Sequence, residues 1–266
     1  MLKLDHTGTI VRDLAAGAAR WERLGFTLSP VSRQRGAVPG AEGMQPWASA
    51  NRCAIFEQGY LELIGLVDAQ AHNPWATFLD RFEGTHLLAL RCDSADEAYA
   101  ALSARAPFLA PPVARERTLD VDGVERTMRF RNLFSRDAQC PEGRYIVIEH
   151  QTPQYLWQPK YLSHENGAKA LVDVTVVADD PAVTGRLEAL GGIAGLTTPA
   201  AFAARFGWSP PAPAFAAVTV SFADLDRAAR LMETRGIALR RSSGDLWAAP
   251  ADTNGFVLRM IAHAQA

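Results

Sequence analysis

Cysteine is scarce in this chain. The three that occur, Cys53, Cys92 and Cys140, lie far apart and form no C-x-x-C pair. A disulfide framework and a cysteine zinc site are therefore not expected, and the composition suits a reducing, cytoplasmic compartment. No apolar run approaches the roughly 20 residues that a helix needs to cross a bilayer. The opening Met1-Leu-Lys-Leu-Asp-His6 carries charge and lacks the apolar stretch of a secretory signal, so neither membrane insertion nor export is expected. A surplus of one charge is missing too: 27 Lys and Arg are interspersed with 29 Asp and Glu, for a net charge of −2. No basic stripe points to nucleic acid. There is no G-x-S-x-G and no P-loop, and Gly191-Gly192-x-x-Gly195 follows a helical pattern where a dinucleotide loop must follow a strand.

What remains is an ordinary globular composition, with 48% hydrophobic and 21% charged residues over 266 positions. That length suffices for one large domain or two small ones with a sizeable core. Residues 3–11 read as a strand. A helix follows, with Asp13 as N-cap, Leu14, Ala18, Trp21 and Leu24 at helical spacing, and Gly25 as its stop. Residues 26–31 give a short second strand and residues 34–50 a Gly- and Pro-containing loop. Residues 52–58 and 60–66 give two more strands around Gly59. The order is strand, helix, three strands. It recurs with a strand at 85–92, a helix at 94–104, and strands at 115–119, 125–130 and 144–149.

The second half echoes this pattern more weakly. Residues 171–178 resemble the opening strand. Arg20-Trp-Glu-Arg-Leu-Gly25 and Arg186-Leu-Glu-Ala-Leu-Gly191 both fit R-x-E-x-L-G. Strands at 237–241, 246–249 and 256–261 close the chain, while residues 192–214 are too irregular to place the third module's last strands. Repeats of this period decide fold class. The expectation is an α+β protein of tandem βαβββ modules forming curved mixed sheets, with a degenerate second half. The paired modules span 1–150, a linker 151–169 and the degenerate modules 170–266.

The stretch from Leu4-Asp-His-Thr-Gly to Trp21-x-x-Leu-Gly-Phe26 resembles the opening of a glyoxalase or vicinal oxygen chelate module. Asn51-Arg-Cys53 with Gly59-Tyr-Leu-Glu-Leu63 resembles its end. Ile148-Glu-His-Gln-Thr-Pro153 and His164-Glu-Asn-Gly-Ala168 are similar to the glyoxalase-like subfamily in particular. The resemblance implies metal ligands on the first and last strands of each module. Carried over, these are His6 and Glu62, then His86 and Glu149. Imidazole and carboxylate suit a divalent Zn, Ni, Mn or Fe ion acting as a Lewis acid on a chelated oxygen, with Glu62 as fourth ligand or catalytic base. Strand alternation puts Tyr145, Val147 and Glu149 on one face and Ile146, Ile148 and His150 on the other. Glu149 and His150 are thus alternatives, and the resemblance favours Glu149. The later half lacks the set, because Asp173-Val-Thr175, Ala216 and Arg259 stand at the matching places.

Arg129 and Arg131 share a strand face and are candidates for holding an anionic substrate, against the alternative of a solvated outer face. Trp47, Trp75, Tyr155 and Trp157 fall in expected loops at a pocket mouth or in the core. The function implied is a metal-dependent lyase or isomerase for a small substrate with adjacent oxygens. The alternatives are a metal-free protein of the same fold that binds or sequesters a small molecule, and an extradiol-type Fe(II) dioxygenase. The expected partner is a small-molecule substrate, with no nucleic acid and no membrane. The second half is expected to cover the first or to form the contact of a homodimer.

Overall fold

The computed structural model describes residues 1–242 and 245–264. The first half forms β1 (Lys3–Val11), α1 (Leu14–Arg23), β2 (Ser32–Gly36), β3 (Gln45–Ile55), β4 (Tyr60–Leu66) and a short α2 (Ala76–Leu79). It continues through β5 (Gly84–Arg91), α3 (Ala95–Leu102), β6 (Val113–Val121), β7 (Val124–Phe134) and β8 (Arg144–His150). The second half comprises β9 (Ala168–Val177), α4 (Pro181–Ala189), β10 (Gly195–Thr197), α5 (Pro199–Phe206), β11 (Ala214–Phe222) and α6 (Leu225–Thr234). It ends with β12 (Arg240–Ser242), β13 (Asp245–Ala248), α7 (Pro250–Thr253) and β14 (Val257–Ala262).

The helices start where side chains can cap them. Asp13 Oδ1 accepts the backbone N–H groups of Ala15 and Ala16, and Ser94, Asp180 and Asp224 do the same work for α3, α4 and α6. The two R-x-E-x-L-G segments end alike. Gly25 (φ +89°) and Gly191 (φ +95°) enter the left-handed region that stops a helix at low steric cost.

Two curved mixed sheets result. The first runs β2-β3-β4-β1-β5-β8-β7-β6, with β1 antiparallel to β5 at its centre and β4 and β8 parallel to their inner neighbours. The second runs β10-β9-β11-β14-β13-β12 and repeats that plan, with β9 and β11 central and β10 and β14 outside them. β10 therefore occupies the place of a module's last strand. The two strands that should precede it are absent among the described residues, which explains why 192–214 resists a strand reading. The expected strand at 26–31 is also displaced: β2 lies at Ser32–Gly36, and β3 begins at Gln45 inside the expected loop. Residues 27–29 are held instead by hydrogen bonds, Ser29 to Cys53 and Thr27 to His164.

Both halves contribute to common cores. Trp21, Leu61 and Leu63 pack with Val218, Val220 and Met260; Leu88, Leu90 and Val147 pack with Val174, Val176 and Leu187. A buried ion pair joins the halves, with the Arg186 guanidinium donating to both carboxylate oxygens of Glu142 at 2.7 Å and the Tyr145 hydroxyl donating to Glu142 at 2.8 Å. The faces turned away from this shared core are two cups. The second is filled: α5 lays Phe202 and Phe206 on Val177, Ala217, Trp247 and Val257. The first keeps polar groups.

Candidate active site in the first cup

Two β-bulges decide what the first cup contains. Along β1, Leu4 pairs with Leu90 and His6 with Ala89, so Asp5 is an extra residue without a partner of its own. A bulge suspends strict alternation, and Asp5 and His6 both turn into the cup. His6 Nδ1 lies 2.7 Å from Asp5 Oδ1, His150 Nε2 lies 3.1 Å from the same oxygen, and Arg91 Nε donates to Oδ2 at 2.7 Å. Asp5 is fully buried. Burial alone would raise its pKa, but hydrogen bonds from His150 and His6, reinforced by their charge, hold it well below the usual carboxylate range. Asp5 is therefore an ionised acceptor at the bottom of the cup.

Glu62 reaches the same place from β4. Leu61 and Leu63 pack into the core under α1, which turns Tyr60 and Glu62 to the concave face. Glu62 Oε2 stands 3.9 Å from His6 Nε2, and Glu62 also accepts a hydrogen bond from Asn51 Nδ2. Arg117 Nη1 donates to Asn51 Oδ1 at 3.1 Å. The His6 ring stacks on Tyr60 with centroids 4.3 Å apart. Burial and the neighbouring Asp5 and Glu62 carboxylates push the Tyr60 hydroxyl well above its usual pKa. The Cys53 thiol is likewise pushed up by burial and by Glu62, so it stays protonated and is a poor nucleophile.

The segment after β8 closes the cup from above. Trp157 donates its indole N–H to the Phe56 carbonyl at 3.1 Å, lies against His150 with centroids 5.0 Å apart, and carries the Arg91 guanidinium 4.2 Å over its ring. His164, the next histidine, accepts from the Thr27 N–H and donates to the Ile55 carbonyl, pinning residues 26–29 in place. Residues 151–169 thus form a strap bonded to the first half.

The structure brings together only part of the expected metal set. His6 and Glu62 face each other, while His86 and Glu149 are elsewhere. On β5, Gly8 pairs with Leu87 and Thr9 with Thr85, so His86 is itself a bulge residue, three positions along the strand from Ala89. Its Nε2 donates to the Phe82 carbonyl at 2.9 Å and its ring packs between Phe78 and Phe82. Burial draws its pKa down to about 4, offset in part by the bond to Phe82. Glu149 lies on the opposite face of β8 from the cup, where its Oε2 accepts the N–H of Ala95 in the first turn of α3. His150 is the residue that enters the cup, as strand parity requires. Arg129 and Arg131 are on the outer face as well. Arg131 forms a bidentate pair with Asp96 of α3, and Arg129 stands exposed beside Glu116. Met128 and Phe130 take the inward positions, and Arg91 and Arg117, which sequence alternation did not single out, supply positive charge near the cup.

Residues 4–191 match the family model of the glyoxalase-like domain. The chain belongs to the glyoxalase-like domain family. Among curated proteins, none matches its sequence. Its fold is that of the vicinal oxygen chelate superfamily. A 4-hydroxymandelate synthase mutant from Streptomyces coelicolor superposes with a TM-score of 0.58 at 10% identity, over 100% of this chain and 94% of that one. A hypothetical protein from Staphylococcus aureus gives 0.58 at 11% identity over 99% and 100%. Methylmalonyl-CoA epimerase from Mycobacterium tuberculosis is matched at 17% identity over 58% of this chain and 91% of that one, with a TM-score of 0.36.

In this member of the glyoxalase-like family, the side chains do not fit the four-ligand metal centre that the resemblance implies. Among the described residues, no three His, Cys, Asp or Glu side chains are grouped to hold an ion. The reason is the donor set itself. His86 gives Nε2 to a backbone carbonyl and has its Nδ1 buried without a partner among the described residues, Glu149 caps a helix N-terminus on the outer face, and both oxygens of Asp5 accept from three cationic or ring N–H donors.

Proposed function

We propose that the chain is a lyase or isomerase of the glyoxalase-like family that moves a proton on a small oxygen-rich substrate with His6 and Glu62, without a metal centre of the four-ligand kind. The observation that carries this reading is the Asp5–His6–Glu62 row. An ionised, fully buried Asp5 accepts, so His6 Nδ1 donates to it, and His6 Nε2 is left with its lone pair directed at the Glu62 side of the cup. Asp5 therefore fixes the tautomer and ring orientation and stabilises the imidazolium that forms when Nε2 takes a proton. The 3.9 Å between Nε2 and Glu62 Oε2 is too long for a direct hydrogen bond. A C–H or O–H presented there lies within reach of both groups: His6 Nε2 takes the proton and, as imidazolium held between Asp5 and the Glu62 carboxylate, returns it to another atom of the same substrate, so both groups end the turnover as they began.

The test is deuterium uptake at the carbon beside the carbonyl, followed by NMR for a panel of 2-oxo and 2-hydroxy acids in D₂O with a chelator present. The expected result is uptake that Asp5→Asn and Glu62→Gln each reduce at least about 100-fold, the usual weight of a positioned acid or base, while circular dichroism stays unchanged. Uptake that disappears in chelator and returns with Zn²⁺, Ni²⁺, Mn²⁺ or Fe²⁺ would overturn the metal-independent reading. Uptake indifferent to both substitutions would overturn the roles of these residues and leave the cup as a binding site only.

A further inference from the structure

The direction of each hydrogen bond around the Asp5–His6–Glu62 row follows from its neighbour. A guanidinium only donates, so Arg117 Nη1, 3.1 Å away, fixes Asn51 Oδ1 as its acceptor. The Asn51 amide nitrogen must then face Glu62, and it donates to Oε1. Glu62 Oε2 is left as a second acceptor. On the other side, Arg91 and His150 hold Asp5 as an ionised acceptor. His6 therefore donates from Nδ1 and keeps a lone pair on Nε2.

Two acceptors thus face each other across 3.9 Å, without hydrogen-bond partners among the described residues. Both open onto the cup. The Glu62 side chain is 14% exposed and that of His6 4%, whereas the unpartnered Nδ1 of His150 is sealed from it. Facing acceptors are satisfied together by one molecule that donates two hydrogens, and water is the smallest that can. With hydrogen bonds of about 2.8 Å to each atom, the 3.9 Å separation sets an angle of roughly 90° at the water oxygen, near the angle between its two O–H bonds. The oxygen lone pairs then point away from the row and into the cup.

Space for a reaction partner lies alongside. Asn51, Cys53 and Arg117 line a cleft of 560 Å³, inside the range of about 300–1,000 Å³ typical of small-ligand pockets. Cys53 is the cross-strand neighbour of Glu62. Its thiol, kept protonated by burial and by Glu62, does not compete with water as a nucleophile. The Tyr60 hydroxyl, on the ring that stacks with His6 at 4.3 Å, is also held protonated by burial and by Asp5 and Glu62, and can donate to a developing oxyanion.

We infer that His6 and Glu62 clamp a water between them and that the chain hydrolyses esters of small acyl groups, a further activity of the same cup. The water oxygen bonds to the carbonyl carbon while His6 Nε2 takes one of its protons; Glu62 orients the other and stays ionised. The carbonyl electron pair moves onto oxygen, then returns and breaks the bond to the alkoxide, which leaves with the proton from His6. One ester and one water give one acid and one alcohol, and the acid loses its proton to solvent. The inference rests on the same row as the proton-transfer reading but involves no carbon acid, so either can fail alone.

Hydrolysis of 4-nitrophenyl acetate by the full chain, with a chelator present, tests it. The expected result is steady release of 4-nitrophenolate with no initial burst, slower in D₂O than in H₂O. Asp5→Asn and His6→Gln should each lower kcat at least about 100-fold, the usual weight of a positioned base. In Glu62→Gln the Asn51 N–H still needs an acceptor, so the new amide gives its oxygen to Asn51 and turns its NH₂ towards His6 Nε2. The water then loses both acceptors, and kcat should fall about tenfold or more while KM stays within about threefold. Melting temperature on each variant separates lost chemistry from lost folding. The inference is overturned if wild type releases product no faster than His6→Gln, or if a stoichiometric burst shows the acyl group passing onto the protein. It is equally overturned if hydrolysis requires added Zn²⁺, Ni²⁺, Mn²⁺ or Fe²⁺. Hydrolysis without deuterium uptake at carbon would uphold the water clamp and sink the proton-transfer reading; uptake without hydrolysis would do the reverse.

Discussion

His86 offers the sharpest check on how the first half is built. Its ring is buried between Phe78 and Phe82, with Nε2 donating to the Phe82 carbonyl, and burial draws its pKa from the ordinary 6.5 down to about 4. The unfolded chain therefore binds a proton near pH 6.5 that the folded chain takes up only near pH 4. Folding loses stability as pH falls through this window, and the two values convert to about 3 kcal/mol. His86→Leu removes the titration. Near neutral pH and above, the variant should be the less stable protein by no more than about 1 kcal/mol, because the Phe82 carbonyl loses its donor while the buried Nδ1, which has no partner among the described residues, is removed as well. Moving towards pH 4, the wild type gives up its about 3 kcal/mol while the variant gives up nothing at this position, so the difference should shrink and then reverse. Asp5, whose pKa is depressed in the fold, contributes stability that is present above the unfolded carboxylate pKa and lost in stronger acid. That loss is common to both proteins and cancels in the comparison. Urea unfolding at several pH values, read by circular dichroism, measures the gap directly. A gap that stays constant with pH would refute the buried neutral imidazole. So would stabilisation of the wild type, but not of His86→Leu, by Zn²⁺ or Ni²⁺, since a sealed ring cannot reach an ion.

Glu149→Ala should cost about 1 kcal/mol, the usual weight of a capping acceptor, because Ala95 N–H loses its partner; thermal melts check this, and deuterium uptake by the same variant should match the wild type. Glu142→Gln should cost about 3–5 kcal/mol in urea unfolding, because it strands the largely buried Arg186 guanidinium without its carboxylate, and replacing Glu142 and Arg186 by Met together with Tyr145 by Phe, which removes the hydroxyl that donates to Glu142, should recover most of that loss.

Most of the fold was legible because strand and helix periodicity is written in short stretches. Residues 3–11 and 60–66 were placed to the residue, and Asp13 and Ser94 announce their helices by chemistry that acts within three positions. The gaps share a different cause. Residues 192–214 follow the repeat only as far as β10. The helix that comes next exists to cover an apolar sheet face built from β9, β11, β13 and β14, which is a tertiary demand invisible in a local window. Much the same holds for the site. Glu62 faces the cup because Leu61 and Leu63 must not, and alternation exposes that. His150 in place of Glu149 was available from parity as one of two options, and the family pattern pointed to the other. Arg129 and Arg131 were correctly paired on one face, but alternation cannot say which of two faces is the inner one; the neighbours Met128 and Phe130, being apolar, took it.

The remaining differences trace to two bulges, and here the argument about function turns on a single residue each. An unbroken β1 would send Asp5 and His6 to opposite faces, and the imidazole would have no buried carboxylate to orient it. The extra residue at Asp5 instead places a carboxylate under the ring, where Arg91 and His150 offset its desolvation. An unbroken β5 would hold His86 to strict alternation. The extra residue there lets the ring settle among Phe78 and Phe82 and leaves Ala89 opposite His6. Both changes act in the same direction. The first gives His6 a fixed proton on one nitrogen and a lone pair on the other, which the proposed base requires. The second takes away the partner that a shared ion would need. Two insertions in a ladder, each read from which residues pair across it, thus decide which side chains the cup presents, and the proton-transfer proposal rests on that selection.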